Sequence, residues 1–201
     1  MKLLLGTTNA GKTTEIRSAL KSLGLETVTP SDLGIVGEPD ESFATLEENA
    51  RSKARFYFAG SAGMPTIAED TGLYVDALSD ELGVKTRRWG AGAKATDDEW
   101  LAFFLGRMKN EENRTAKFVC ALCYVDSAGA EYVFHSESRG TIVPEPRAEY
   151  LPGLPVSSVF LPEGYNRVFS ALTHDEKNAL SHRGKAVAQF MEYVKNEISP
   201  S

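Results

Sequence analysis

The opening of the chain restricts its fold more than any other segment, because it has the pattern of a strand, a turn, a helix and a second strand. Residues 2–6 are mostly apolar and predict a strand, residues 11–23 predict a helix that Gly24 ends, and residues 25–29 predict the next strand. Such a start is typical of α/β proteins, in which a right-handed crossover joins two parallel strands. We therefore expect an α/β fold.

The turn between the first strand and the helix has the composition of a phosphate site. Thr7, Thr8 and Asn9 supply polar side chains, and Lys12 places a positive charge at the start of the helix. The free N–H groups of a helix N-terminus attract anions, and a lysine ammonium adds a compact charge. The sequence predicts that this turn binds a phosphate group.

The same turn also satisfies the nucleotide-binding P-loop pattern, G-x-x-x-x-G-K-[ST], from Gly6 to Thr13. A P-loop enzyme needs a second acidic residue at the end of a buried parallel strand, and Asp126 follows an apolar run. Residues 126–129, however, resemble a tight turn between strands at 115–125 and 130–139, which predicts an antiparallel hairpin in a mixed sheet. A P-loop kinase or ATPase stays open as an alternative.

Length and composition limit the classes of protein further. With 201 residues, 42% of them hydrophobic and 25% charged, the chain is expected to form a single soluble domain over residues 1–201. A net charge of −6 argues against a nucleic-acid partner, which usually requires a basic surface. No apolar run has the length of a signal-peptide core or a membrane span, so we expect a cytoplasmic protein without a membrane partner.

The two cysteines form a C-x-x-C spacing inside a predicted strand. Because residues three apart on a strand point to opposite faces, Cys120 and Cys123 are not expected to share a metal or a disulfide. Core packing is the interpretation that the spacing favours.

A pair of adjacent carboxylates, Glu69 and Asp70, lies between the short apolar runs 66–68 and 73–75. We interpret residues 69–72 as an acidic turn that joins two strands. In extended backbone the two side chains alternate, so only one should face a cleft. Asp70 is the candidate catalytic residue, and with Glu38 of the acidic loop 30–42 it could hold Mg²⁺.

Two helix starts carry further candidates. A capping box at residues 45–48 predicts a helix toward Gly60, with Asn49 and Lys53 on one face. Ser181 as an N-cap would place His182 and Arg183 in the first turn of the last helix. Positive charge there opposes the helix dipole, which indicates a ligand such as a phosphate or a base carbonyl.

Short motifs along nearly the whole chain resemble the inosine triphosphate pyrophosphatase family. The matching segments are Thr7-Thr8-Asn9-Ala10-Gly11-Lys12, Gly37-Glu38-Pro39, Glu48-Asn49-Ala50 with Lys53-Ala54, Ala68-Glu69-Asp70-Thr71-Gly72-Leu73, Gly83-Val84 with Arg88-Trp89-Gly90, and Lys177-Asn178 with Ser181-His182-Arg183-Gly184-Lys185-Ala186. The resemblance implies an elongated mixed sheet flanked by helices, two lobes around an active-site cleft, and a homodimer. It implies Mg²⁺-dependent hydrolysis of ITP, dITP and XTP to the monophosphate and pyrophosphate.

The resemblance also implies roles for individual residues. Asp70 and Lys53 would be catalytic, and Glu38 and Asp70 would bind the metal. The implied substrate-binding residues are Thr7, Thr8, Asn9, Lys12, Thr71, Arg88, Lys177, His182 and Arg183.

One segment departs from the family pattern. Where the family has Gly-Phe-Gly-[Tyr/Trp]-Asp-Pro, residues 153–158 are Gly-Leu-Pro-Val-Ser-Ser, without the stacking aromatic or the Asp. Base stacking on an aromatic side chain contributes about 1–3 kcal/mol. The sequence therefore leaves the base preference open, and a nucleotide-binding relative without catalysis remains a further alternative.

Overall fold

A six-stranded sheet forms the centre of the computed structural model, which describes residues 2–79, 81–86, 89–92 and 94–198. Its strands are β1 (Lys2–Leu5), β2 (Glu26–Val28), β3 (Thr66–Val75), β4 (Thr115–Val125), β5 (Glu131–Ile142) and β6 (Phe160–Pro162), in the order β2-β1-β3-β4-β5-β6. β1 pairs in parallel with β2 and β3, and the other pairs are antiparallel. The predicted mixed α/β sheet with its β4–β5 hairpin is confirmed.

Helices cover the sheet, and their starts follow local sequence signals. They are α1 (Ala10–Leu20), α2 (Leu46–Gly60), α3 (Asp97–Arg107), α4 (His174–Leu180) and α5 (His182–Tyr193). Each has a side-chain N-cap, from Asn9, Thr45, Thr96, Thr173 and Ser181 respectively. α4 went unpredicted, although residues 173–176 have the capping-box spacing. Within the ranges described, none of the helices has the length and apolarity needed to cross a bilayer.

The predicted acidic turn at residues 69–72 is wrong, because β3 runs through it without interruption. β3 pairs with β4 residue by residue, from Thr66 opposite Val125 to Val75 opposite Ala116. This antiparallel partner satisfies the backbone groups along the whole segment, so tertiary pairing overrides the low strand propensity of its acidic residues and glycine.

The proline-rich segment 144–162 contains two short elements. A 3₁₀ turn covers Pro155–Ser158, and β6 follows at the sheet edge. Pro162 is accommodated there because an edge strand can tolerate a missing N–H donor. The two-lobed shape, the elongation and the single domain stay predictions.

The two faces of the sheet pack against different helices. Cys120, with Leu122 and Tyr124, joins the cluster under α1 and α5, whereas Cys123 joins the cluster under α2. Both cysteines are buried and free, and burial raises the pKa of Cys123 to about 12. The predicted packing role of the cysteines is confirmed.

The difference in length between β1 and its neighbour β3 positions the site. β1 ends at Leu5, and the Gly6 N–H still donates to the carbonyl of Ile67 at 2.7 Å, whereas β3 continues to Val75. The chain turns away after Gly6 into α1. A crevice therefore opens at the carboxyl end of β1, beside the middle of β3, which is where ligands bind in α/β sheets.

Candidate active site

A cavity of about 360 Å³ occupies this crevice. Side chains from β3, α2, the α4–α5 segment and the turn at residues 6–12, here called the phosphate turn, line it. Ten of the residues proposed from the sequence are among them. These are Thr7, Thr8, Asn9, Lys12, Lys53, Asp70, Thr71, Lys177, His182 and Arg183. Arg88 lies outside the described residues. The cavity has a volume suited to a small-molecule ligand.

Asp70 faces this cavity from the middle of β3. Its Oδ1 accepts a hydrogen bond from Lys53 Nζ at 2.8 Å, and its Oδ2 accepts one from Asn49 Nδ2 at 3.1 Å. α2 brings Asn49 and Lys53 to one face, one turn apart, as their spacing predicts. The two bonds fix the orientation of the carboxylate while leaving lone pairs for a ligand.

Lys53 joins two carboxylates. Its ammonium lies 2.8 Å from Asp70 Oδ1 and 3.1 Å from Glu41 Oε2. Burial would lower the pKa of Lys53, but Asp70 and then Glu41 raise it above its ordinary value. Lys53 is therefore a permanent cation at the edge of the cavity.

Glu41, rather than Glu38, shares the Lys53 ammonium with Asp70. Glu41 lines the cavity, whereas Glu38 is exposed on the same loop and is not among the described lining residues. Sequence reasoning missed Glu41 because an irregular acidic loop has no periodicity that selects one carboxylate. The described residues contain no group of three His, Cys, Asp or Glu placed to hold a metal. Mg²⁺ commonly takes one or two carboxylates with waters and substrate phosphates, so the Asp70–Glu41 pair fits it.

Glu69 points to the opposite face of β3 and is enclosed by cations. Its Oε1 accepts from Arg183 Nε at 2.9 Å and lies 3.1 Å from Lys12 Nζ, and Thr71 Oγ1 donates to its Oε2 at 2.5 Å. Burial would raise the pKa of Glu69, but Arg183 and Lys12 outweigh burial and hold it well below its ordinary value. Of the two adjacent carboxylates, only Asp70 lines the cavity, as the alternation predicts.

Glu15 on α1 extends this charge network, and no local sequence signal predicts its role. It forms ion pairs with Arg183 Nη1 and Lys177 Nζ. Burial would raise the pKa of Glu15, yet Arg183 and Lys177 lower it. Arg183 is thus held between Glu15 and Glu69 and is only 3% exposed.

His182 is a buried side chain of the cavity whose two ring nitrogens are both left without a hydrogen bond within the described part of the chain. Neither ring nitrogen has a hydrogen-bond partner among the residues that the structure describes, although the residue is 4% exposed. Its ring stacks on Phe118, with centroids 4.6 Å apart and planes 17° apart. Burial, with the charge of Arg183, holds the pKa of His182 well below its ordinary value, so the imidazole is neutral. A neutral imidazole offers one donor and one acceptor, and buried polar atoms without partners indicate a ligand site.

Known proteins share both the sequence pattern and the fold. The model of the Ham1 family matches residues 3–193. The chain belongs to the Ham1 family. The resemblance noted from the sequence motifs is thereby confirmed.

Individual relatives of this Ham1-family chain match it over nearly its whole length. A protein of Leptospira interrogans (serovar Copenhageni), named dITP/XTP pyrophosphatase, is 34% identical over 196 residues, covering 98% of each chain. One of Aquifex aeolicus with the same name is 38% identical over 205 residues, again covering 98% of each. The solved structure of a HAM1 protein from Coxiella burnetii superposes with a TM-score of 0.80 at 29% identity, covering 98% of this chain and 99% of that one.

The segment that departs from the family pattern forms part of the cavity wall. Leu154 and Ser157 line the cavity, and the Ser157 hydroxyl donates to the Leu154 carbonyl at 2.6 Å. Aromatic lining comes from other elements, through Phe118, Phe169 and Trp100. An aromatic surface therefore exists in this Ham1-family cavity, although residues 153–158 do not supply it.

The P-loop alternative does not fit the described geometry. Asp126 Oδ1 accepts from the N–H groups of Ala128 and Ala130 at 2.8 and 2.9 Å, so it caps the β4–β5 turn. β4 lies antiparallel to β3, and Lys12 pairs with Glu69. Asp126 is a turn residue here, which supports the Ham1-family interpretation of the phosphate turn.

Proposed function

We propose that this Ham1-family chain hydrolyses non-standard purine nucleoside triphosphates such as ITP, dITP and XTP to the monophosphate and pyrophosphate. The observation that carries the proposal is one cavity with a phosphate turn and the Asp70–Lys53 pair on one side and the unsatisfied His182 on another. The names of the relatives from Leptospira and Aquifex support this substrate class.

Asp70 acts as the base in this reaction. Its carboxylate is held by Lys53 and Asn49 and keeps lone pairs toward the cavity, where it orients an attacking water and accepts its proton. The bond that breaks joins the α- and β-phosphates, and negative charge grows on their oxygens. Lys53 and Lys12 offset that charge, while Thr7 and Thr8 offer hydroxyl donors.

Mg²⁺ is the cofactor in this proposal. Asp70 and Glu41 would hold it, with Glu41 taking the place first assigned to Glu38, because Glu41 and Asp70 already share one cation, the Lys53 ammonium. When bound, Mg²⁺ supplies Lewis-acid neutralisation of the phosphate charge.

The base lies toward His182 and the aromatic lining. The neutral imidazole can donate one hydrogen bond to a carbonyl oxygen of an oxopurine, and it can accept one from a ring N–H. Adenine offers no carbonyl oxygen at that edge, so the arrangement favours oxopurines. Lys177 lines the same region and would contact the base or the neighbouring phosphate, and Arg183, held behind His182, keeps the region positive.

We also propose that the protein is a homodimer that acts on the free nucleotide pool in the cytoplasm. A net charge of −6 argues against a nucleic-acid partner.

Product analysis tests the proposal. The purified protein with Mg²⁺ is incubated with ITP, dITP, XTP, GTP and ATP, and pyrophosphate and orthophosphate are measured separately. The matched control is an Asp70→Asn protein prepared in the same way, which reveals contaminating phosphatases. Pyrophosphate from the oxopurine substrates is expected.

Each other outcome has a distinct meaning. Pyrophosphate from a different base only would show redirected specificity. Orthophosphate would support phosphoryl chemistry of another type, and nucleotide binding without any product would support a relative that has lost catalysis.

A further inference from the structure

The segment Pro152–Leu154 connects the N-termini of α1 and α3 through a single peptide group. The Gly153 N–H donates to Asp97 Oδ2 on α3 at 2.5 Å. The carbonyl of the same peptide, that of Pro152, accepts from the Gly11 N–H on α1 at 3.1 Å. One planar unit is therefore held at both ends by two different helices.

A second contact continues from Gly153 into the phosphate turn. Its carbonyl accepts from Asn9 Nδ2 at 3.1 Å, and Asn9 Oδ1 in turn accepts from the Lys12 N–H at 2.9 Å as the cap of α1. A hydrogen-bonded path therefore leads from Asp97 through Gly153 to the residues that are expected to hold phosphate.

The approach is close enough to require glycine at both positions. A Cβ on Gly11 would lie 2.6 Å from the Pro152 carbonyl oxygen, and one on Gly153 would lie 2.2 Å from Asn9 Nδ2. Gly153 also has a φ of +79°, which side-chain-bearing residues rarely adopt. A glycine peptide can rotate easily, so its observed orientation depends on the groups that hold it.

We propose that Asp97 is a positioning residue for the substrate cleft, which through Gly153 fixes the phosphate turn and the Leu154–Ser157 wall relative to each other. The assignment of substrate to these two surfaces rests on the proposed function. Asp97 is not among the described residues that line the cavity, so we assign its effect on the cleft to its hydrogen bond with Gly153.

Charge explains why a carboxylate suits this position. A hydrogen bond to an ionised acceptor is stronger than a neutral one, and it polarises the peptide so that the Pro152 carbonyl becomes a better acceptor for Gly11. Without Asp97, the Gly153 N–H loses its partner, and one of the two restraints on the peptide is gone. The phosphate turn and the wall would then be held together by the Gly11 and Asn9 contacts alone, which fix their relative position less firmly.

The next residue on α3 provides a matched control. Asp98 has the same charge in the same helical turn, but it accepts a hydrogen bond from the Tyr150 hydroxyl instead of from Gly153. Loss of either carboxylate removes one negative charge from the start of α3. Only loss of Asp97 breaks the path to Asn9 and Gly11.

The experiment compares Asp97→Ala, Asp97→Asn and Asp98→Ala in the full chain. KM and kcat for ITP, the dissociation constant of inorganic tripolyphosphate by titration calorimetry, and the unfolding temperature are measured for each. Asp97→Ala is expected to raise both KM and the tripolyphosphate dissociation constant by about tenfold, because misplacement of binding groups is costly. Asp97→Asn, which keeps an acceptor oxygen, should recover most of the affinity, and Asp98→Ala should bind like the wild type.

A purely structural role gives a different pattern. A lower unfolding temperature with unchanged KM and tripolyphosphate affinity in Asp97→Ala overturns the proposal, and so does an equal loss of affinity in Asp98→Ala. If Asp97→Ala fails to fold, Gly153→Ala replaces it, with Gly24→Ala as control. Both glycines have positive φ, but a Cβ on Gly24 meets nothing within 4 Å. Only Gly153→Ala should weaken tripolyphosphate binding, and equal affinity of the two variants overturns the proposal.

The calorimetry separates this proposal from the proposed function. A wild-type protein that binds tripolyphosphate but releases no pyrophosphate from any nucleotide contradicts the function alone, and Asp97 is then judged on tripolyphosphate affinity. A wild-type protein that releases pyrophosphate from ITP but does not bind tripolyphosphate leaves the function standing, and Asp97 is then judged on the KM for ITP, where an unchanged KM in Asp97→Ala overturns the proposal.

Discussion

Glu69 and Asp70 are adjacent acidic residues in the same strand, yet their surroundings differ in kind. Both are buried, at 2% and 8% exposure. On one face, Arg183, Lys12 and Thr71 surround Glu69 and occupy its oxygens. On the other, Lys53 and Asn49 each hold one oxygen of Asp70, which still borders the cavity.

The difference shows that surroundings, and not residue type, separate an acid that is enclosed by cations from one that faces a cavity. Glu69 carries its negative charge to hold cations from α1 and α5 in place. Asp70 carries its charge toward a space that a ligand can enter. The pleat of a β-strand makes this separation possible within two consecutive residues.

Neutralising Asp70 should have the largest effect on activity. Asp70→Asn cannot accept a proton, so turnover of ITP should fall by about 10³-fold, within the range of general-base catalysis. Binding of ITP, measured by titration calorimetry, should change little, because Asn keeps the shape of the side chain. Turnover close to that of the wild type would remove Asp70 from the mechanism.

Neutralising Glu69 should instead reduce stability. Glu69→Gln leaves Lys12 without its buried counter-charge and Arg183 with Glu15 alone, and breaking a buried ion pair costs about 3–5 kcal/mol. Urea unfolding measures the loss, with Asp70→Asn as the adjacent control of equal charge change. If the two variants lost stability equally, the contrast between the faces of β3 would not hold.

Glu41 and Glu38 lie on the same acidic loop, and a comparison of the two tests the proposed Mg²⁺ site on the cavity side of β3. Glu41→Gln should raise the Mg²⁺ concentration needed for half-maximal turnover by about tenfold, since loss of one carboxylate weakens hard-cation binding. Glu38→Gln, on the same loop but exposed, should stay within about twofold of the wild type by the same reasoning. The reverse order would restore Glu38 as the metal carboxylate.

The smallest expected effect concerns the pH dependence of stability through His182. The pKa of His182 is lowered on folding, so below about pH 6.5 the unfolded chain binds a proton that the folded chain does not. The contribution of the neutral His182 ring to the free energy of unfolding is complete above that pH. On acidification the free energy of unfolding falls by up to about 1.4 kcal/mol per pH unit until the lowered pKa is reached. Arg183, Lys177 and Lys12 favour the neutral ring, and Glu69 opposes them.

Urea unfolding between pH 5 and 7.5 checks this prediction. Below pH 6.5 the free energy of unfolding of His182→Gln should depend less steeply on pH than that of the wild type. His135 and His174 are exposed and are present in both proteins, so they do not contribute to the difference. An unchanged slope would mean that His182 is protonated in the folded chain.

Local signals accounted for much of the fold. The Gly24 stop, the capping box at Thr45 and the turn after Val125 each depend on a few neighbouring residues, and all appear as predicted. The continuity of β3 could not be read in this way, because it depends on pairing with β4, tens of residues later.

The site residues differ in the same way in how far the sequence predicts them. Asn49 and Lys53 follow from helix spacing, and the motif resemblance brought them to Asp70. The positions of Glu15 and Glu41 depend instead on how α1 and the acidic loop pack against distant residues. No local pattern distinguishes these two carboxylates from solvated ones on a helix or in a loop.

The ion pairs of Arg183 also depend on the order in which the chain is synthesised. Arg183 lies 168 positions after Glu15 and 114 after Glu69. Since translation proceeds from the N-terminus, both acids leave the ribosome long before their guanidinium partner. A nascent chain that ends before α5 already carries Lys12 and Lys177, which pair with Glu69 and Glu15, but it lacks the guanidinium that contacts both acids. The two carboxylates are therefore joined through one cation only after the last helix has been synthesised.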